Sequence, residues 1–286
     1  MSALAIREEI IKRMDTVEAV PVAAAKAMRL LQDQGKSLNE AIRTIEYDPA
    51  LTANILKLVN SSAFAIDRKI SSLREATVRL GAKNILEMLV GSSMAGIMTQ
   101  SVKGYDLPPG ELWKAAVSGA IYTELISEEL KLKIPAHTFT AALLREVGKL
   151  VLGSFVDVNA EKIVNFASDK GVSFPEAERE ILGIDHAEVG SLLLAKWNMP
   201  HELHNPVRWH HEPEKCPEED RSVTEVVHMA DALTMIEGIG TGGDGLNYRI
   251  SSTVTEKLGL NMELIETIVC KMQTRREQVK DYFSKT

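Results

Sequence analysis

Apolar positions along most of this chain recur at the three- to four-residue spacing of amphipathic helices. The spacing predicts helices over 3–14, 22–32, 38–46, 49–60, 73–100, 110–131, 137–152, 159–170, 174–181, 186–198, 200–211, 221–237, 251–258 and 261–283. Alternating runs are short, and the best strand candidate is the weak Phe155-Val156-Asp157-Val158. The pattern therefore predicts an all-α protein.

Local signals mark several helix boundaries. Ser37-Leu38-Asn39-Glu40 and Ser72-Leu73-Arg74-Glu75 have the form of capping boxes, which begin helices. Gly81 predicts an interruption in the helix that starts near residue 73. Asn60 follows a predicted helix, and we expect its side chain to hydrogen-bond free backbone groups at that helix end.

Proline and glycine suggest how the chain is divided. Pro108-Pro109 separates two long helical regions, which predicts an N-terminal lobe over 1–105 and a C-terminal lobe over 106–286. The glycine-rich segment Gly238–Gly245 lacks the Gly-Lys-Ser/Thr ending of a phosphate-binding loop and follows a helix. We expect this segment to be a flexible connection between helices.

Composition narrows the class of protein. Aromatic residues make up only 5% of the 286 residues, which favours packed helices over a β-sandwich. The net charge of −7 opposes nucleic-acid binding. The separated cysteines Cys216 and Cys270 are typical of a reducing compartment. With no secretory signal and no apolar stretch long enough to cross a bilayer, the sequence predicts a cytoplasmic protein without membrane or nucleic-acid partners.

Histidine and aspartate residues in the C-terminal half are candidates for chemistry. His186 begins one predicted helix, His210-His211 end another and Asp231 lies inside a third. Such side chains can hold a divalent metal, although each alone is more often structural. Because helix neighbours diverge, we expect only one of His210 and His211 to face a given site. The remaining histidines are predicted to lie in loops or face solvent: His137, His201, His204 and His228.

Several segments between about residues 18 and 240 form an ordered series. They are Tyr47 to Thr52, Ile55 to Ser61, Ile70 to Gly81, Leu112-Trp113, Ala141 to Leu150, His186 to Gly190, Trp197 to Pro200, His210-His211 and Ala230-Asp231. Together they resemble the HDOD family, which is related to the HD-domain and HD-GYP phosphohydrolases. The resemblance implies an all-helical fold, with an N-terminal helical bundle packed on an HD-like domain, and a role in bacterial signalling or regulation.

The resemblance also implies a degenerate metal site. Catalytic relatives carry a metal-binding His-Asp pair where this chain has Arg145 and Glu146, and Ala115 lies where they place another His. An arginine cannot donate a lone pair to a metal, and its charge repels one. We therefore expect no cofactor. If a single divalent metal binds, the resemblance implies that His186, His210 and Asp231 hold it.

These departures favour a non-catalytic signalling or regulatory scaffold that acts through protein partners the sequence does not name. A divergent metal-dependent phosphohydrolase acting on a nucleotide is one alternative, and a small-molecule sensor that uses the vestigial pocket is another. The pocket would contain Arg145, Glu146, His186, His210, His211 and Asp231. We predict that Arg145 pairs with Asp231 in place of the lost metal; the alternative is that Arg145 extends to solvent.

Overall fold

The computed structural model describes residues 2–17, 70–135, 137–245 and 247–278, with scattered positions between 42 and 60. Its helices in these residues, labelled in chain order, are α1 (Ala3–Arg13), α2 (Leu73–Met98), α3 (Glu111–Leu130), α4 (His137–Leu144), α5 (Lys149–Lys170), α6 (Phe174–Leu182), α7 (His186–Lys196), α8 (His204–Trp209), α9 (Glu218–Ile236), α10 (Ser252–Leu258) and α11 (Met262–Gln278). Short 3-10 helices lie at Met14–Thr16, Lys103–Tyr105, His201–Leu203, Pro213–Lys215 and Gly243–Gly245.

The all-α prediction is confirmed. Within the described ranges the chain forms no strand, and its β-type pairing consists of an isolated bridge between Val102 and Leu107. The helices predicted over 22–32, 38–46 and 49–60 lie wholly or largely outside the described residues. The division into lobes over 1–105 and 106–286 stays a prediction.

The helix boundaries predicted around residue 155 were wrong. The weak strand candidate Phe155 to Val158 lies inside α5, which runs without the predicted gap from Lys149 to Lys170. A four-residue run is too short to distinguish the spacing of a strand from that of a helix. The chain leaves the helix earlier instead, in the turn 145–148 between α4 and α5.

Two local predictions about helix ends and interruptions are confirmed. Gly81 has φ 83° and ψ 155° and interrupts α2. The Asn60 amide donates to the backbone oxygens of Leu56 at 2.8 Å and Ile70 at 2.7 Å, and its side-chain oxygen accepts from the Ile70 N–H at 2.6 Å. Asn60 therefore ties a helix end to the start of the segment that leads into α2.

The core of the C-terminal half is built around α3, which packs against α4, α9 and α11. Small buried residues, including Ala116, Gly119 and Ala120, allow close approach along α3. On the other side of the core α7 packs against α5 and α8. These contacts bring the turn after α4, the start of α7, the end of α8 and the middle of α9 together. No helix among the described residues has the length and apolar character needed to cross a membrane.

Candidate metal centre

The structure brings all six predicted pocket residues together from four parts of the fold. Arg145 and Glu146 lie in the turn between α4 and α5, and His186 is the first residue of α7. His210 and His211 follow α8 directly, and Asp231 lies inside α9. All are buried except His211, whose side chain is 14% exposed. The centre is therefore a mostly enclosed polar cluster in an apolar core.

Four of these side chains offer atoms that could ligate one metal ion. One ligand atom from each of Glu146, His186, His210 and His211 lies within 4.8 Å of the others. The expectation that only one of His210 and His211 faces the site is wrong. Because α8 ends at Trp209, the two histidines lie in a turn rather than on a regular helix, with ring centroids 3.9 Å apart.

Hydrogen bonds orient two of the imidazole rings toward the cluster. The His186 Nδ1 lies 2.8 Å from the Glu178 carboxylate, and the His210 Nδ1 donates to the Val207 carbonyl at 2.8 Å. In both rings this leaves Nε2 facing the cluster. The fully buried Nε2 of His210 has no hydrogen-bond partner. A buried lone pair without a partner, on a ring oriented from its other side, fits a metal ligand.

Glu178 is the carboxylate that supports His186 from behind. It also accepts a hydrogen bond from the His186 backbone N–H at 3.0 Å and from the Tyr105 hydroxyl at 2.5 Å. Burial alone lowers the pKa of His186, but the charge and hydrogen bond of Glu178 outweigh it and raise this pKa to about 9. The imidazolium of His186 therefore supplies positive charge to the cluster near neutral pH.

The other two histidines are neutral near neutral pH. Burial lowers the pKa of His210 to about 4. Burial, together with the neighbouring His210 and His186, holds the pKa of His211 well below its ordinary value. The His211 Nε2 lies 2.9 Å from the His186 Nε2 and can accept its proton as a hydrogen bond. Neutral imidazoles are the form that binds metals.

Arg145 makes the predicted contact with Asp231. Its Nε donates to the Asp231 carboxylate at 2.6 Å, and its terminal nitrogens donate to the backbone oxygens of Ala142 and Ala115 at 2.8 and 3.2 Å. Burial opposes its charge, but Asp231 and Glu146 outweigh burial and raise the pKa of Arg145. A Cβ at Gly119 would lie 2.1 Å from Arg145 Nη1, so only glycine leaves room for this guanidinium. The alternative that Arg145 extends to solvent is wrong.

Asp231 borders the four-residue cluster, with Oδ2 3.9 Å from the His211 Nδ1, but both of its oxygens are held by other side chains. One of its oxygens accepts from Arg145, and the other accepts from the Tyr248 hydroxyl at 2.7 Å. The ligand set expected from the sequence, His186, His210 and Asp231, is therefore not the one the structure gathers. Glu146 and His211 join the two histidines instead, because Arg145 and Tyr248 occupy the Asp231 carboxylate.

Lys149 and its partner Asp244 also belong to the centre, although neither was predicted from the sequence. The Lys149 Nζ lies 2.8 Å from Glu146 and 2.5 Å from Asp244, and it stands 5.3 Å from the centre of the Tyr105 ring. Lys149 lies in the segment Ala141 to Leu150 that resembles the HDOD family, so the sequence did contain a signal for it. Asp244, Glu178 and Tyr248 carried no such signal, since they reach the centre through tertiary packing.

The four histidines outside the pocket differ in their exposure to solvent. His201 is exposed as predicted, with a side chain 87% accessible. The prediction was wrong for His137 and His228, which are buried, and His204 is partly buried with its Nε2 3.2 Å from the Met199 carbonyl. His228 donates from Nδ1 to the His210 carbonyl at 2.7 Å and accepts the Ser251 N–H at 3.0 Å. It lies on α9, which packs into the core, and it supports the turn that carries His210.

The fold and the centre define a class: an all-helical protein with a buried histidine–carboxylate cluster at a junction of helices. The HDOD domain matches residues 17–213 of this chain. The chain therefore belongs to the HDOD family.

Known proteins agree on the fold. An HDOD domain protein from Geobacter sulfurreducens superposes with a TM-score of 0.71 at 22% identity, covering 99% of this chain and 97% of its own. A candidate signal transduction protein from Marinobacter aquaeolei gives 0.69 at 19% identity, covering 98% of this chain and 65% of its own. An uncharacterized Treponema pallidum protein is 26% identical over 78% of this chain, and the match spans 43% of that relative's length.

Proposed function

We propose that this chain is a regulatory HDOD module whose centre binds one metal ion without hydrolysing a phosphoester. The proposal rests on one observation: the pocket consists of an ion pair and a separate group of four candidate metal ligands. Arg145 neutralises Asp231, while the four atoms offered by Glu146, His186, His210 and His211 lie within 4.8 Å of one another. The structural resemblance to a candidate signal transduction protein is consistent with a signalling role.

The charge of the centre supports a divalent ion. Its carboxylates are Glu146, Glu178, Asp231 and Asp244, and its permanent cations are Arg145 and Lys149. With His186 protonated, one negative charge is left over. A metal that binds the His186 Nε2 displaces that proton, which leaves two negative charges, and burying net charge in an apolar core is costly. A divalent cation balances them. Three imidazoles and one carboxylate suit Zn²⁺ and related transition metals better than Mg²⁺ or Ca²⁺.

The same geometry argues against hydrolysis. Catalytic zinc sites use three protein ligands and keep one position open for water or substrate, whereas sites with four protein ligands are closed. Two-metal hydrolysis also needs a second ion about 3.5–4 Å from the first. The Arg145 Nε lies 3.9 Å from the Glu146 carboxylate and 2.6 Å from Asp231, so its permanent charge opposes a second cation there. When bound, the single metal would supply a fixed charge that holds three chain segments together: the turn after α4, the start of α7 and the turn after α8.

Metal binding tests the proposal directly. Metal-free protein titrated calorimetrically with Zn²⁺ and Mn²⁺ should bind one ion per chain, and elemental analysis should give the same stoichiometry. His210→Ala should weaken binding by at least about tenfold, because it removes an oriented ligand. The exposed His201→Ala is the matched control and should bind as the unaltered protein does. An unaltered protein that binds no ion, or equal losses in both variants, would overturn the proposal.

The absence of hydrolysis needs its own measurement. The metal-loaded protein should release no product from cyclic dinucleotides or from bis(p-nitrophenyl) phosphate. Turnover that disappears with chelator and with His186→Ala would show that the chain is a metal-dependent phosphohydrolase instead. Tight nucleotide binding without turnover would make the centre a small-molecule sensor.

A further inference from the structure

Lys149 forms an ion pair with the Glu146 oxygen that a metal at this centre would need. Its Nζ lies 2.8 Å from Glu146 Oε2, and the same oxygen lies 3.4 Å from the His186 Nε2. Glu146 Oε2 thus faces both the ammonium group and the imidazoles. A divalent ion placed among the imidazoles would bind this oxygen and repel the ammonium group across a few ångströms, in a buried site where water screens charge poorly. Metal and Lys149 are therefore competitors for one atom.

A second carboxylate is in place to receive Lys149. Asp244 Oδ2 lies 2.5 Å from Nζ, and the lysine, Glu146 and Asp244 are all buried. When a metal neutralises Glu146, the charge of Lys149 is left with Asp244 as its carboxylate partner. Because a buried ammonium without a partner is costly, the Lys149–Asp244 pair should tighten as the metal binds.

Asp244 belongs to the glycine-rich connection between α9 and α10. The connection is closely packed at Gly242, where a Cβ would lie 1.6 Å from the Tyr105 carbonyl oxygen. The other Asp244 oxygen accepts the Gly242 N–H at 3.2 Å. A change in the Lys149–Asp244 ion pair therefore affects the backbone of this loop. The nearby residues Thr241 and Asn247 are exposed.

We propose that Lys149 sets the metal affinity of the centre and transmits metal occupancy to the loop around Asp244. This inference rests on the proposed one-metal function. Without metal, the ammonium is shared between Glu146 and Asp244; with metal, it belongs to Asp244. Coupling between two sites is reciprocal. Because Lys149 weakens metal binding, metal binding must in turn change the interactions of Lys149, including its ion pair with Asp244 in the loop.

Calorimetric titration of five proteins with Zn²⁺ tests the proposed effect of Lys149 on metal affinity. Lys149→Met should bind Zn²⁺ at least about tenfold more tightly than the unaltered chain, since the competing charge is gone. Asp244→Asn should bind it at least about threefold more weakly, since Lys149 then depends on Glu146 alone. In the double variant, Asp244→Asn should have little further effect. The matched control is Lys114→Met, which removes a half-exposed lysine paired with Glu111 and should change affinity less than about twofold.

The pattern of the double variant separates the proposal from a general charge effect. If Asp244→Asn weakens Zn²⁺ binding equally with and without Lys149, the lysine is not the intermediary and the proposal fails. If Lys149→Met does not fold, Lys149→Gln also removes the charge while keeping a hydrogen-bond donor. If the unaltered chain binds no Zn²⁺, the one-metal function itself has failed. If it binds Zn²⁺ and the Lys149 variants bind it with the same affinity, only the role of Lys149 is lost.

Amide hydrogen exchange on the unaltered protein tests the transmission and needs no variant. Zn²⁺ should slow exchange of the 241–245 amides, because the Lys149–Asp244 pair tightens. The Lys149→Met protein should bind Zn²⁺ without this slowing. Unchanged or faster exchange at 241–245 in Zn²⁺-loaded unaltered protein would overturn the proposed coupling.

Discussion

At the scale of single residues, Arg145 is a buried cation whose hydrogen bonds all remain within the protein. Its partners are a carboxylate, Asp231, and two backbone oxygens, and its side chain is 1% exposed. A buried ion pair contributes modestly when it is complete, but removing one member leaves an uncompensated charge. This part of the core is therefore stable when both members of the ion pair are present or when both are replaced, and it is destabilised when only one is replaced.

We expect Arg145→Met to lower the free energy of unfolding by about 3–5 kcal/mol, because Asp231 is left charged and buried. Adding Asp231→Leu should recover most of that loss. Urea unfolding of the metal-free proteins measures both. The half-exposed pair of Arg79 with Glu75 supplies a control, Arg79→Met, with an expected effect within about 0.5 kcal/mol. A double variant as unstable as Arg145→Met alone would contradict the ion-pair account.

At the scale of elements, helix ends determine where functional side chains lie. The end of α8 at Trp209 places His210 and His211 in a turn, so that both face the centre. The turn after α4 does the same for Arg145 and Glu146. In the N-terminal part, Asn60 fixes a helix end to Ile70 with hydrogen bonds from both ends of its amide.

We expect Asn60→Ala to lower the free energy of unfolding by about 2–3 kcal/mol, because several partly buried backbone groups lose a partner. Asn261→Ala is the matched comparison: its side chain caps α11 with one exposed hydrogen bond, at 2.9 Å to the Leu264 N–H. Its expected cost is about 1 kcal/mol or less. Thermal and urea unfolding of both variants measure the difference, and equal losses would show that Asn60 is only an ordinary cap.

At the scale of the whole molecule, α11 is fastened to the core by charged side chains. Arg276 pairs with Glu237 at 2.6 Å and Arg275 pairs with Glu128 at 3.1 Å, while Lys271 contacts Glu129. Beneath these pairs, burial raises the pKa of Glu124 to about 8; Arg275 opposes the shift and Glu128 adds to it. Glu124 is therefore protonated in the folded protein at pH values where it is ionised in the unfolded chain.

This difference gives a signed pH dependence. Because the folded state holds the Glu124 proton more tightly, unfolding releases a proton between about pH 4.5 and 8, and stability falls as pH rises through that range. Glu124→Gln should match the unaltered protein near pH 4.5. Above pH 8 it should be more stable by about 1–2 kcal/mol, or about 2–8 °C in melting temperature. Scanning calorimetry from pH 4.5 to 9 would detect the divergence.

The exposed Glu266→Gln on α11 is the control for this measurement and should stay within about 0.5 kcal/mol at every pH. A Glu124→Gln protein that is less stable than the unaltered chain at pH 8.5 would show that the ionised carboxylate stabilises the fold through Arg275.

How much the sequence could predict also depends on scale. Amphipathic spacing is local, so it predicted most of the helices among the described residues. It failed in the short run Phe155 to Val158 and at helix ends, as at the turn 145–148 and after Trp209. The meeting of Arg145 with Asp231 followed from the family resemblance. The pairing of Lys149 with Asp244, 95 residues apart, could not be predicted, because it depends on how a glycine-rich loop packs against α3 and Tyr105.

The Arg145–Asp231 pair also affects how this protein can change over evolutionary time. Replacing Arg145 alone with a metal-binding histidine leaves Asp231 without its cation. Each such single substitution passes through a less stable protein, and natural proteins have only about 5–15 kcal/mol to lose. We therefore expect descendants of this chain to acquire new partners at their surfaces more readily than a metal ion at the position of Arg145.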